Sequence, residues 1–258
     1  MRFALEIRAG RRSAEDFAGR LGKALEESGA EIVSRNGTKP DMVIAVGGDG
    51  TMLAAVTRSV SWDVPVLGFN LGTLGFLAAA EPSDLDAVVQ RLLVGDYEIE
   101  ERTTVAASID EVRAVGINDV VVEKIDSTRL VSLDVEIDGS AFATYRADGL
   151  IIATSTGSTA YSFSAGGPLM APTVDGLVMT PVAAHSLFDR ALVLPATSEI
   201  VVTVSLDRHV KVNVDKTGLG QLGNGESVTI CRGETPAKFV QLEPRSFAEV
   251  VRDKFRLS

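Results

Sequence analysis

One cysteine, two histidines and one tryptophan in 258 residues exclude several kinds of chemistry at the outset. A lone thiol, Cys231, cannot close an internal disulfide and fits a reducing compartment. His185 and His209 are too few for a histidine-built metal site, and His185 reads as a structural hydrogen-bonding residue. No apolar run approaches the roughly 18 residues that suggest a membrane-spanning helix. Arg2, Glu6 and Arg8 stand where a signal peptide needs an apolar core, so a soluble, cytoplasmic protein is expected. Basic charge is also short: 25 Lys and Arg against 35 Asp and Glu give a net charge of −10. That balance argues against a general nucleic-acid surface or an anionic-membrane surface. An anionic substrate would need local cations or backbone amides to bind against such a field. What is present, 45% hydrophobic and 23% charged residues, is the composition of an ordinary globular protein with ample core.

The first third alternates strand and helix patterns. Strands are expected at 4–7, 31–33, 42–46 and 64–69. Between them, Phe17, Leu21 and Leu25 recur at helical spacing behind a Ser13/Asp16 capping pattern, and 51–58 reads as a second helix. A third opens at Ser83, carries Leu85, Val88, Val89, Leu92 and Leu93 on one side, and stops at Gly95. Such alternation predicts a mostly parallel sheet covered by helices. From residue 96 to about 244 the texture turns β-rich. Val131, Leu133, Val135 and Ile137 alternate with Ser132, Asp134 and Glu136, and Asp138-Gly139 turns the chain into a partner strand at 141–145. Further strands are expected at 105–109, 115–122, 150–153, 200–204, 210–214, 227–231 and 239–242. Residues 245–258 form a last helix, with Ser246 and Glu249 as its capping box, which packs back on the first domain. The expected domains are therefore 1–95, with the last helix, and 96–244.

Two segments carry the chemistry. Gly47-Gly48-Asp49-Gly50-Thr51 follows the apolar run 42–46 directly. Three glycines around one carboxylate expose backbone N–H groups, let phosphate oxygens approach, and aim Asp49 at the reacting group. The same five residues also read as an ordinary strand-to-helix turn, because Asp-Gly favours turns for conformational reasons alone. The second segment runs from Asp148 to Pro168 and places seven serine and threonine hydroxyls, and Tyr161 besides, between Thr154 and Ser164. So many donors and acceptors on a small-residue backbone suit a ligand bearing sugars and phosphates, whereas any three would read as a capped polar loop.

The GGDGT turn, Asn118-Asp119, Asp148-Gly149 and Thr156-Gly157-Ser158-Thr159-Ala160-Tyr161-Ser162 occur in the order found in NAD kinases, which this sequence resembles over 41–195. The segments 70–77 and 180–187 are similar as well. GGDGT alone is shared with diacylglycerol- and sphingosine-type lipid kinases; the TGSTAYS block is far more specific. The resemblance implies an α/β N-terminal domain plus a β-rich second domain, of the NAD kinase/diacylglycerol kinase-like fold. It implies phosphoryl transfer from ATP or another donor to the 2′-hydroxyl of the adenosine ribose of NAD, with Mg²⁺ held mainly by nucleotide phosphates. It also implies a homodimer or homotetramer whose partners are NAD and ATP, not nucleic acid or membrane.

Residue by residue, the resemblance makes Asp49 the general base and brings Gly47, Gly48, Gly50, Thr51 and Asn70 to the phosphates or ribose. Asn118 and Asp119 would hold the adenine or its ribose, although such a pair also reads as a simple turn. Asp148 would contact the nicotinamide end, and Thr156, Ser158, Thr159, Ala160, Tyr161 and Ser164 would line the pocket. Phe76 would form an apolar wall or belong to the core. Arg129 and Arg146 stand where the family carries basic residues, with an exposed strand arginine as the other reading of Arg129. The late turn Asp215-Lys216-Thr217 departs from the family pattern and stays outside the expected site. Two other classes are the alternatives: a GGDGT-type lipid kinase, or a non-catalytic dinucleotide sensor on the same fold.

Overall fold

The computed structural model describes residues 1–8, 10–34, 37–72, 76–77, 79–206, 208–243 and 246–257. Thr73, Leu74 and Gly75 of the family-like segment 70–77, and both ends of the expected helix 245–258, lie outside the described residues. The chain forms two compact units, Met1–Glu101 with Pro236–Ser258, and Arg102–Thr235. Sequence texture changes earlier, at residue 96. The edge strand that follows, Glu98–Arg102, still belongs to the first sheet.

The first unit begins β1 (Arg2–Ile7), α1 (Arg12–Glu27), β2 (Glu31–Ile32), β3 (Met42–Gly47), α2 (Asp49–Trp62) and β4 (Val66–Asn70). A short 3-10 turn then leads into α3 (Leu85–Val94) and β5 (Glu98–Arg102). β1, β2, β3 and β4 pair in parallel. Every residue of β3 is buried, because helices cover both faces of the sheet. Met42, Ile44 and Val46 meet Phe17, Leu21 and Leu25 of α1 and Val88, Val89 and Leu92 of α3 in one core. Phe17 and Phe69 sit there with ring centroids 5.0 Å apart. Two expected caps differ from what is found. Arg11, not Ser13, precedes α1, and Asp84 precedes α3, with Ser83 hydrogen-bonded to the Asp84 carboxylate instead. Gly95 does end α3, in the left-handed conformation at φ 75°.

The second unit contains β6 (Val105–Ile109), β7 (Val112–Gly116), β8 (Asp119–Lys124), β9 (Val131–Ile137), β10 (Ser140–Ala147) and β11 (Gly149–Thr154). After a 3-10 turn at Gly157–Thr159 come a four-residue helix α4 (Tyr161–Ser164), β12 (Gly176–Val182), β13 (Leu192–Pro195) and β14 (Ile200–Ser205). β15 (Val210–Val214), β16 (Thr217–Leu222) and β17 (Ser227–Arg232) complete it. Two antiparallel six-stranded sheets, ordered β10-β9-β14-β17-β6-β7 and β13-β12-β11-β8-β15-β16, bury one core between them. The outer face of β8, β11 and β12 is covered as well, by Met170 and its neighbours. Burial on both sides explains the unbroken apolar runs 120–122 and 150–153. Cys231 lies half-buried in β17.

The chain returns to the first unit with β18 (Ala237–Gln241) and α5 (Phe247–Phe255). The expected strand 239–242 is therefore not part of the β-rich unit. It pairs in parallel with β4 and completes the order β2-β1-β3-β4-β18-β5. Ser246 and Glu249 form the expected capping box.

Candidate active site

In the first unit the chemistry collects at the carboxyl end of the parallel strands, where open α/β sheets receive ligands. β3 ends at Gly47, Gly48 is extended at φ −104° and ψ −170°, and α2 begins at once with Asp49. The expected glycine turn is thus the first turn of the helix, two residues earlier than spacing suggests. The Gly48 carbonyl accepts from Thr51 N at 2.9 Å and Met52 N at 3.1 Å. The preceding N–H groups have no intrahelical acceptor, as at any helix start, and make an anion site beside an exposed carboxylate. Gly47 is fixed by space: an added Cβ would collide with the Thr51 side chain. On the adjacent strand Asn70 is in register with Gly47, and Leu71 N donates to the Gly47 carbonyl at 3.2 Å. The Asn70 side chain folds onto Gly72, accepting from its N–H at 3.2 Å. Phe76 lies 6.3 Å from the Phe255 ring, with Lys254 Nζ 5.5 Å from its centroid. It packs against α5 within the first unit.

In the second unit, the expected single strand 115–122 is broken. Its first part is β7 in one sheet, its second β8 in the other, and Ile117 and Asn118 form the crossing. Two neighbours hold that crossing. Thr154, at the end of β11, donates from N to the Asn118 carbonyl at 2.8 Å and from Oγ1 to the Ile117 carbonyl at 2.5 Å. Asp215, between β15 and β16, accepts from Ile117, Asn118 and Asp119 N–H groups at 3.0, 2.8 and 3.2 Å. Gly157 then packs so closely that a Cβ there would overlap the Asn118 carbonyl. The TGSTAYS turn and the Asn118-Asp119 turn are therefore one assembly.

Asp119 is 5% exposed. Burial, and after it the nearby Asp215 carboxylate, push its carboxyl up to about 7. Burial also raises Asp215, against the pull of its three backbone donors. Thr156 is buried with its hydroxyl unpartnered among the described residues. Ser158 is buried too, but its hydroxyl is committed to Ser155 O at 2.7 Å and to Met170 N at 2.9 Å, so it shapes the turn from within. Thr159 Oγ1 donates to Thr156 O at 3.0 Å, and Ser164 Oγ to Ala160 O at 3.5 Å. Tyr161, 42% exposed, opens α4 behind Ala160.

Asp148 pairs with Lys124, and its N–H donates to Val182 O at 2.9 Å. Arg146 is exposed on β10; its backbone is held by Ser186 Oγ at 3.1 Å and His185 N at 2.7 Å. Arg129 is exposed in the turn that Asp126 closes onto Thr128, and lies on no strand. Sequence reasoning left out Thr154, Lys124 and Asp215. The signal for Asp215 was an aspartate in the family's late-turn position, set aside because Lys216-Thr217 follows it.

The chain matches two family models, the ATP-NAD kinase N-terminal domain over residues 9–97 and the ATP-NAD kinase C-terminal domain over 117–242. The chain belongs to the NAD kinase family. An NAD kinase of Symbiobacterium thermophilum is 40% identical over 220 residues, covering 83% of this chain and 78% of that one. An NAD kinase of Heliobacterium modesticaldum is 38% identical over 226 residues, 84% and 78% of the two chains. Among solved structures, an NAD kinase from Archaeoglobus fulgidus in complex with ATP gives a TM-score of 0.79 at 25% identity, over 98% and 99% of the two chains. Yeast NADH kinase complexed with NADH gives 0.90 over 100% and 88%, a likeness of fold at 24% identity. The C-terminal NAD kinase match takes in the TGSTAYS block.

Proposed function

We propose that this chain transfers the terminal phosphoryl group of ATP to the 2′-hydroxyl of the adenosine ribose of NAD, forming NADP and ADP. The observation that carries the reading is Asp49: an exposed carboxylate that opens α2 directly behind β3, beside helix N–H groups free to meet phosphate oxygens. Transfer of this kind depends on positioning and charge stabilisation and needs no covalent nucleophile. The ribose 2′-oxygen attacks the γ-phosphorus as Asp49 takes its proton. The bond from that phosphorus to the β–γ bridging oxygen breaks, and ADP leaves with the electron pair. A positioned base contributes about 10²–10⁴-fold.

The second unit supplies the dinucleotide cradle. Asn118 and Asp119 face the adenine end, with Thr156, Thr159, Ala160 and Tyr161 along the pocket and Asp148, held by Lys124, towards the nicotinamide. Ser158 serves by shaping the turn. The motif offers one exposed carboxylate, and among the described residues no three His, Cys, Asp or Glu side chains are grouped to hold an ion. That donor set fits Mg²⁺ held mainly by phosphate oxygens and water. When bound, the ion would offset the charge of the triphosphate. The same reading takes the protein to be a cytoplasmic homodimer or homotetramer; no described helix is long and apolar enough to cross a membrane.

Incubation of the protein with NAD, Mg²⁺ and either ATP or polyphosphate tests the reading. NADP formation from ATP, with the new phosphate on the 2′ position, is the expected result. Tight NAD binding without turnover on either donor would instead favour the sensor.

A further inference from the structure

Asp215 is a half-buried carboxylate that the phosphoryl-transfer chemistry leaves unused. Three consecutive N–H groups, of Ile117, Asn118 and Asp119, converge on it, and its own N–H donates to the Asp119 carbonyl at 2.8 Å. Successive N–H groups facing one point form a concavity that binds anions. Here the chain fills it with its own side chain. The need is local. Ile117 and Asn118 lie between β7 and β8, which belong to different sheets, so no ladder supplies acceptors for their N–H groups. The carbonyl side of the same turn is held by Thr154. With N–H groups on Asp215 and carbonyls on Thr154, the side chains of Asn118 and Asp119 are left without a hydrogen-bond partner among the described residues. Asp215 reaches this place at φ 50°, a left-handed conformation that aspartate tolerates better than most residues. The packing around it is tight: a Cβ on Gly116 would lie 2.8 Å from Val214 Cγ1 and 2.9 Å from Asp215 Cγ.

We propose that Asp215 is a positioning residue for the dinucleotide: from the β15–β16 turn its carboxylate holds the Asn118-Asp119 turn in the shape that receives NAD. The proposal rests on the reading of Asn118 and Asp119 as NAD-binding residues. It gives the atypical Asp215-Lys216 turn a role through geometry that Lys216 does not disturb, since the work is done by the carboxylate alone. Burial is the larger reason that Asp119 ionises less readily, and the Asp215 carboxylate adds to it. Asp215 is the charged group whose field raises the Asp119 carboxyl, and Lys216 beside it acts on Asp215 in the opposite sense. From β11 the facing residue is Ala153, and the turn 156–160 carries no titratable side chain.

The test uses the full chain with Asp215→Ala and Asp215→Asn, measuring NAD binding by calorimetry and steady-state kinetics with both substrates. Asp215→Ala should weaken NAD binding and raise the NAD KM about tenfold, with the ATP KM moving less than about twofold. Asp215→Asn keeps the shape and one acceptor oxygen, so it should recover part of that loss. It should also move the pH dependence of NAD binding downwards, because Asp119 loses a negative neighbour. A purely structural role would move neither the NAD-to-ATP ratio nor the pH profile. Both variants folded by circular dichroism and binding NAD as wild type does would overturn the proposal, as would equal changes in both KM values. If Asp215→Ala does not fold, Asp215→Asn decides. Calorimetry also separates the two claims: a wild type that binds NAD without turnover ends the kinase reading and leaves this one standing. A wild type that does not bind NAD ends both.

Discussion

Asp119 is a carboxyl group held away from water beside a second carboxylate, and that has a consequence for stability as well as for binding. Its carboxyl sits at about 7 in the folded chain against 3.8 for the ordinary group, so between those values the folded chain holds a proton that the unfolded chain has lost. The stability this gives is fully present below the ordinary value and is lost as pH rises through 7. Each unit is worth ~1.4 kcal/mol, so the total is on the order of a few kcal/mol. The melting temperature of the ligand-free wild type should therefore fall between pH 5.5 and 8 relative to Asp119→Asn, which has nothing to titrate there. Parallel curves would show that Asp119 is ionised throughout. Residues of this kind divide into those a local motif betrays and those it cannot. Asp49 stands out because its neighbours in sequence are also its neighbours in space. Asp215 lies 96 residues from the N–H of Asp119 that it accepts, and no periodicity reports such a pairing.

At the scale of elements, the site depends on two turns being pressed together. Gly157 is the contact point, because a methyl group there would overlap the Asn118 carbonyl. Gly157→Ala should cost about 1–3 kcal/mol of stability and weaken NAD binding, since either turn must shift to admit the methyl group. A thermal melt with NAD titration checks both, and an unchanged Kd would mean the turns are not coupled. Elements with a strong pattern were readable: β6 and β15 fall where alternation puts them, and Asp138-Gly139, both at positive φ, turn β9 into β10. The break between β7 and β8 is hard to read because both strands are valine-rich, at 112–115 and at 120–122. A crossing between two sheets then looks like one long strand. The start of α2 was also misplaced, since glycines at 48 and 50 lower helix propensity while the sheet-to-helix connection overrides it.

For the whole molecule, texture revealed two regions, but not the return of the chain. β18 follows β17 without a change in composition, yet it pairs with β4 of the first unit. Only sheet order distinguishes them. The net charge of −10 has its own consequence for an enzyme whose substrates are anions. Added salt screens repulsion from the global field, with a Debye length of about 10 Å at 0.1 M. Raising salt from about 50 to 150 mM should therefore leave kcat/KM for ATP unchanged or increase it. A steep fall would point to a cationic site that outweighs that field. The central claim, that Asp49 is the base for phosphorylation of NAD, is tested most directly by NADP formation from NAD, ATP and Mg²⁺ in the wild type and Asp49→Asn. The account predicts turnover in the wild type, a fall in kcat of about 10²–10⁴-fold in the variant, and an NAD Kd that stays close to the wild-type value. Turnover in Asp49→Asn within a few-fold of wild type would contradict it.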